Sequence, residues 1–215
     1  IRSFQDAIAL QSDYWQAYTE MGYAYVDNGE TDNAQAVLSI LSAQSSDDAL
    51  LLAGYMNEKS APRITSVSPS SAFGYFYFTM GPGTKLTDIS PYLDQPNDET
   101  VLAFSVNFSK SMDRAAVENV LNWNIARATG TGVGDGYNYY LPVPDSEVTL
   151  DEHPFAVYYD DTSQSATILM KVRQNAAGNG TLDPVHIDFT FQGQDRFGLS
   201  MDPAADTYSG YRGIA

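Results

Sequence analysis

Val101-Leu102-Ala103-Phe104-Ser105-Val106-Asn107-Phe108-Ser109 decides the fold class of the larger part of this chain. Successive side chains of a strand point to opposite faces, so Leu102, Phe104, Val106 and Phe108 share one face. Ala103, Ser105, Asn107 and Ser109 take the other. The same period of two recurs at Val185–Gln192, where Val185, Ile187, Phe189 and Phe191 point inward and His186, Asp188, Thr190 and Gln192 outward. It recurs again at Ala166–Val172, with Ile168, Met170 and Val172. Weaker strand candidates are Arg63–Val67, Phe73–Thr79, Trp123–Arg127, Tyr137–Val143, Glu147–Leu150 and Phe155–Tyr159. Turn-rich stretches at Gly130–Gly136 and Asn175–Gly180 separate them. Many short strands with frequent turn signals predict an antiparallel sandwich over 61–215.

Residues 1–60 have another texture. They contain no proline, and their apolar positions recur at three and four: Tyr14, Ala17, Tyr18, Met21, Tyr25, then Ala34, Val37, Leu38, Leu41. That spacing predicts amphipathic helices over 14–27 and 31–43. Asn28-Gly29 suits a helix C-terminus, and Thr31 or Asp32 the N-cap of the next helix. Segments 1–11 and 47–58 read as further helices. The boundary between the halves is expected at Lys59-Ser60-Ala61-Pro62, so the chain is an α+β protein of two domains, 1–60 and 61–215. A short helix is expected within 111–120, with Asp113 as its N-cap.

Composition narrows the function classes. Eleven basic and 27 acidic residues give a formal charge of −16, which disfavours nucleic acid and anionic lipid as partners. Residues 1–60 hold nine acids against Arg2 and Lys59, a charge of −7, leaving −9 for the rest. With no cysteine there is no disulfide, thiolate metal site or cysteine nucleophile, and only His153 and His186 supply imidazoles. No apolar run approaches the ~20 residues of a membrane span. A first residue of Ile rather than Met leads us to expect a processed or trimmed product.

Both halves resemble known families. Met21-Gly22-Tyr23-Ala24-Tyr25, then Gly29, Ala34, Leu38 and Leu41, resembles a tetratricopeptide repeat, and Phe4-x-x-Ala7 looks like the second helix of a preceding one. The resemblance implies an antiparallel helical hairpin whose inner stripe, Gln16, Thr19, Tyr23 and Val26, would meet a partner peptide. Pro62–Pro69, then Val106-Asn107-Phe108-Ser109-Lys110-Ser111-Met112-Asp113 and Trp123-Asn124-Ile125, and finally Phe189–Gly198 are similar to bacterial immunoglobulin-like domains of surface and secreted proteins. Residues 74–99 depart from that pattern as an insertion. This second resemblance implies an immunoglobulin-like β-sandwich used for adhesion, spacing or assembly.

The candidate sites are few. The aromatic run Phe73–Phe78 is a core strand or an assembly edge, with Tyr75 and Tyr77 as its contact residues. Asp195, Asp202 and Asp206 are candidate calcium ligands, because calcium takes six to eight oxygens from flexible loops; turn-forming aspartates are the simpler explanation. Gly130–Gly136 lacks the helix a phosphate loop requires. Asp151-Glu152-His153 reads as a surface loop, and no Gly-x-Ser-x-Gly nucleophile signature occurs. The expectation is a non-enzymatic extracellular or cell-surface protein of bacterial type, working through a protein partner or self-association, without cofactor unless calcium binds. A carbohydrate-binding or carbohydrate-active protein using Trp123 or Tyr137–Tyr140 is the alternative, and a periplasmic peptide-binding scaffold the third.

Overall fold

A computed structural model describes residues 1–69, 80–130, 132 and 135–209. The expected strand Phe73–Thr79, with Tyr75 and Tyr77, lies outside the described residues, as do parts of the 74–99 insertion and of the Gly130–Gly136 loop. The protein is of mixed α+β class. Its chain divides into two compact units, Ile1–Ser60 and Ala61–Ala215.

The first unit is built from α1 (Arg2–Leu10), α2 (Trp15–Asp27), α3 (Thr31–Gln44) and α4 (Ser46–Lys59). The three- and four-residue spacing of its apolar positions places Met21, Val37, Leu41, Ala49 and Leu52 in one buried cluster, flanked by Phe4, Ile8, Tyr18 and Met56. Gly22 is needed for contact: a Cβ there would lie 2.5 Å from Leu52 Cδ2. α2 stops in a Schellman turn. Gly29 adopts φ 73°, the Glu30 N–H reaches Tyr25 O at 2.8 Å, and the Gly29 N–H reaches Val26 O at 3.0 Å. Because Glu30 closes α2 and opens α3 at once, Thr31 is already the first residue of α3 and Asp32 sits in its first turn. Neither serves as the expected N-cap. The Glu30 carboxylate is held instead by Asn28 and Asn33, at 3.2 and 2.7 Å.

The second unit contains β1 (Ile64–Pro69), β2 (Thr84–Lys85), α5 (Leu86–Ile89), β3 (Glu99–Phe108), α6 (Arg114–Glu118), β4 (Trp123–Arg127), β5 (Ala156–Asp160), β6 (Ser165–Arg173), β7 (Thr181–Leu182), β8 (Ile187–Phe191) and β9 (Thr207–Ser209). They form sheets ordered β1-β3-β6-β5, β2-β7 and β4-β8-β9, with every strand pairing antiparallel. The alternation of β3 holds: Leu102, Phe104, Val106 and Phe108 are buried, and they meet β8 across one core. Phe104 lies 5.3 Å from Phe189, Phe108 5.4 Å from Phe191, and Trp123 4.5 Å from Phe191, ring centre to ring centre. Such tilted pairs add about 0.5–1.5 kcal/mol each beyond the area they bury. The expected helix within 111–120 is α6, capped by Asp113, whose Oδ1 accepts from the N–H groups of Ala115 and Ala116 at 2.8 and 3.3 Å.

Three strand expectations are corrected. Tyr137–Val143 is no strand: Tyr137–Tyr140 is a 3₁₀ turn with left-handed backbone. Glu147–Leu150 contributes only an isolated bridge from Glu147 to Thr181. Val185–Gln192 begins late, at Ile187, because Pro184 opens a 3₁₀ turn over Pro184–His186. That turn rotates His186 into the interior, where it is 3% exposed rather than facing solvent.

Strand β5 is an edge of its sheet, and α6 covers it at one residue. Arg114 Nη1 donates to Tyr159 O at 2.6 Å, and Glu118 Oε1 accepts the Tyr159 N–H at 3.1 Å. The two side chains, themselves paired at 2.9 Å, occupy the donor and acceptor places of a missing neighbouring strand. The double substitution Arg114→Ala, Glu118→Ala is expected to raise aggregation on heating, followed by light scattering, with the far-ultraviolet circular dichroism of the folded protein unchanged. Scattering equal to that of the parent chain rejects the protective role.

Candidate functional site

Six consecutive residues, Tyr139-Tyr140-Leu141-Pro142-Val143-Pro144, are all exposed in the second unit. Tyr139, Tyr140 and Leu141 show 53%, 57% and 63% of their surface. Exposed apolar residues are ordinary singly and less so in a contiguous run. The second half of this ridge is stiff for covalent reasons: Pro142 and Pro144 fix their own φ and push Leu141 and Val143 into extended backbone. Leu141 accordingly has φ −76° and ψ 158°.

The first half of the ridge is strained. Asn138, Tyr139 and Tyr140 have φ of 51°, 53° and 62°, three successive non-glycine residues in the left-handed region. For an L-residue this costs about 1–2 kcal/mol each, and asparagine tolerates it best. Gly136 makes room for the turn, since a Cβ there would fall 2.1 Å from the Tyr140 ring. Asn138 clamps it: Nδ2 donates to Leu141 O at 3.1 Å and Pro142 O at 2.8 Å, while its N–H donates to Asp183 Oδ2 at 2.7 Å.

Beneath the ridge lies a buried polar network. Asp183 Oδ2 also faces His186 Nδ1 at 2.7 Å, and Asp183 and His186 are 1% and 3% exposed. The Asp183 N–H donates to Tyr137 Oη at 3.1 Å, and Tyr137 in turn donates to Glu147 Oε1. Glu147 Oε2 accepts from Thr181 Oγ1 at 3.2 Å. The Arg127 guanidinium lies 5.0 Å over the Tyr137 ring, and Tyr139 sets its ring edge-on to His186 at 5.2 Å. Burial pushes the Glu147 carboxyl above its ordinary value, against the Thr181 hydrogen bond and the Arg127 charge that pull it down. Asp183 Oδ1 is buried and accepts no hydrogen bond among the described residues.

No protein-family model, no curated protein and no solved structure matches this chain.

The expected site residues are placed as follows. Of the inner stripe, Gln16 is exposed, Thr19 is buried, and Tyr23 and Val26 are half-buried. Thr19 donates to Asp48 at 3.2 Å and Tyr23 lies 4.5 Å from Tyr55, ring centre to ring centre, so both contact α4. Trp123 is 1% exposed, with its indole N–H on Val117 O at 2.7 Å, which removes it from any sugar-stacking role. The three candidate calcium ligands do not converge. Asp195 is wholly buried against Lys110 Nζ at 2.6 Å. Asp202 faces Arg63 at 3.7 Å and caps Ala204 N, and Asp206 accepts from Thr207 Oγ1 at 2.9 Å. Among the described residues no group of three or more His, Asp or Glu is arranged to hold a metal. A lysine ammonium already neutralises the one buried carboxylate of the set. Among the described residues, too, no helix is long and apolar enough to cross a membrane.

Composition alone does not reveal the ridge. Two prolines two apart signal an extended exposed segment at 141–144, whereas three left-handed residues before them carry no sequence mark beyond Asn138.

Two pH-dependent outcomes follow. The burial that raises Asp195 is outweighed by Lys110 and by the N–H groups of Leu199 and Phe197, which hold its carboxyl below the ordinary 3.8. Its stabilisation is therefore complete above that value and lost as the pH falls through the lower folded value. Lys110→Met strands the charge and is expected to cost about 3–5 kcal/mol at neutral pH, with part recovered in Lys110→Met, Asp195→Asn. Denaturant titrations of the parent and the two variants measure both. Glu147 runs the other way: its contribution is present below 4.5 and lost as the pH rises through the raised folded value. Glu147→Gln, which keeps an acceptor for Tyr137, is expected to be more stable than the parent at neutral pH, with the gain vanishing below 4.5.

Proposed function

We propose that the chain is a non-enzymatic interaction protein of the extracellular or cell-surface kind, making a protein–protein contact through the ridge Tyr139–Pro144. The observation that carries this reading is the pairing of exposure with strain. Residues held in disfavoured backbone persist only where the surroundings over-determine them, and such strain clusters at contact and ligand sites. Here a buried network holds two tyrosines out in solvent in a left-handed backbone that non-glycine residues rarely adopt, with an extended Leu141 beside them. A preformed, rigid aromatic surface loses little conformational entropy on binding.

Both resemblances support the same class. A tetratricopeptide-like helical hairpin over 1–60 and a bacterial immunoglobulin-like sandwich over 61–215 are modules of recognition and assembly, and we propose these folds for the two units. Self-association into a fibre or layer is the specific form we favour. With a charge of −16 on each copy, identical chains repel, so an uncharged ridge is the surface on which like copies can meet.

This reading makes an ionic-strength prediction opposite to that of a charge-driven contact. Sedimentation velocity is expected to detect association that strengthens with added salt, as the repulsion is screened. Tyr139→Ser, Tyr140→Ser, Leu141→Ser is expected to abolish it with the melting temperature unchanged. Association that weakens with salt, or that survives the triple substitution, rejects the ridge as the contact. A chain monomeric under all conditions rejects self-assembly.

A further inference from the structure

A second site lies away from the ridge, beside β4 and β8. A cleft of about 360 Å3 is lined by Leu121, Asn122, Asn124, His153, Thr190 and Gln192. In the sheet register Asn124 stands opposite Thr190, and Thr190 opposite Thr207, so a row of amide and hydroxyl groups crosses the three strands. None of the lining side chains is an acid, a lysine or an arginine, in a chain that carries 38 of them.

The hydrogen bonds made within the protein leave specific capacity unspent. Asn122 Nδ2 donates to Ala116 O at 2.8 Å and Asn124 Nδ2 to Glu152 Oε1 at 3.4 Å. His153 Nδ1 lies 2.7 Å from Trp123 O, a geometry that puts the proton on Nδ1 and leaves Nε2 an acceptor in the neutral ring. Thr190 Oγ1 pairs with Thr207 Oγ1 at 2.9 Å. What remains among the described residues is the Oδ1 and one Nδ2 hydrogen of both asparagines, His153 Nε2, and both ends of the exposed Gln192 amide. The set mixes donors and acceptors and carries no net charge. Leu121, 69% exposed, adds an apolar wall.

We propose that this cleft binds a neutral carbohydrate. A sugar presents hydroxyls that both donate and accept beside a face of C–H groups, which matches mixed amide, hydroxyl and imidazole groups flanked by one leucine. Anionic ligands are opposed by the surrounding −16. The proposal is independent of the ridge.

The test is a titration of the isotope-labelled chain with the neutral disaccharides maltose, cellobiose and lactose, and with glucuronate as the charged control, followed by amide chemical shifts. Saturable shifts at residues 121–124, 153 and 190–192 with a neutral sugar, and none with glucuronate, are expected. Gln192→Leu is exposed and leaves the core untouched; it is expected to weaken binding about tenfold, as is Asn124→Leu, with the melting temperature of each reported beside its affinity. No shift with any neutral sugar at tens of millimolar overturns the proposal. So do shifts centred elsewhere, undiminished affinity in both variants, or equal binding of glucuronate.

Discussion

One buried ion pair ties the exits of the two main sheets together. Lys110 lies two residues past the end of β3, Asp195 lies in the turn beyond β8, and both are at most 1% exposed. Little water reaches either side chain there, and Lys110 Nζ stands 2.6 Å from the Asp195 carboxylate. The consequences spread along both chain segments. Asp195 Oδ1 takes the N–H groups of Phe197 and Leu199 at 2.8 and 2.9 Å, shaping the closing turn. That turn pairs with residues 111–113, where Gln194 O accepts the Asp113 N–H and Ser111 O accepts the Arg196 N–H. Met112 in between donates its N–H to Tyr159 Oη at 2.8 Å. The start of α6, and with it the cover on the β5 edge, is thus joined to the turn in which Asp195 meets Lys110.

The ridge follows a similar logic at the opposite end of β8, where polar groups removed from water dictate what the exposed backbone does. Asp183 cannot be left with its charge unmet, and Asn138 N–H and His186 Nδ1 answer it through one oxygen. Satisfying that oxygen holds Asn138 left-handed, and the two tyrosines after it continue in the same sense. Interior electrostatics therefore sets surface shape.

Legibility in the sequence divides along the same line. Patterns that depend on a residue and its near neighbours were readable: the alternation of β3, the apolar spacing of α2 and α3, the Asp113 cap and the turn at Gly29. The expectations that failed depend on a distant partner or on where a turn ends, neither of which the pattern carries. Asp195 reads as a candidate calcium ligand, whereas Lys110, far back along the sequence, is the cation placed against it. His186 alternates outward on paper, but the turn opened by Pro184 delays the strand to Ile187 and turns His186 inward. Thr31 and Asp32 are sound capping residues that lose the position to Glu30, since the Schellman turn leaves no linker between α2 and α3. The cleft beside β4 and β8 has no linear signature, because its lining comes from three separated stretches.

The left-handed turn also governs the chemical fate of the ridge. Endoproteases bind the chain around the cleaved bond in an extended form, and the Tyr139–Tyr140 peptide is otherwise an inviting target, solvent-facing and aromatic on both sides. Its backbone has the wrong hand for that grip, Asn138 holds it so, and Pro142 stands two residues beyond. Cleavage must wait for the turn to open, which means breaking the Asn138 clamp first. A surface that is open to solvent is in this way closed to digestion.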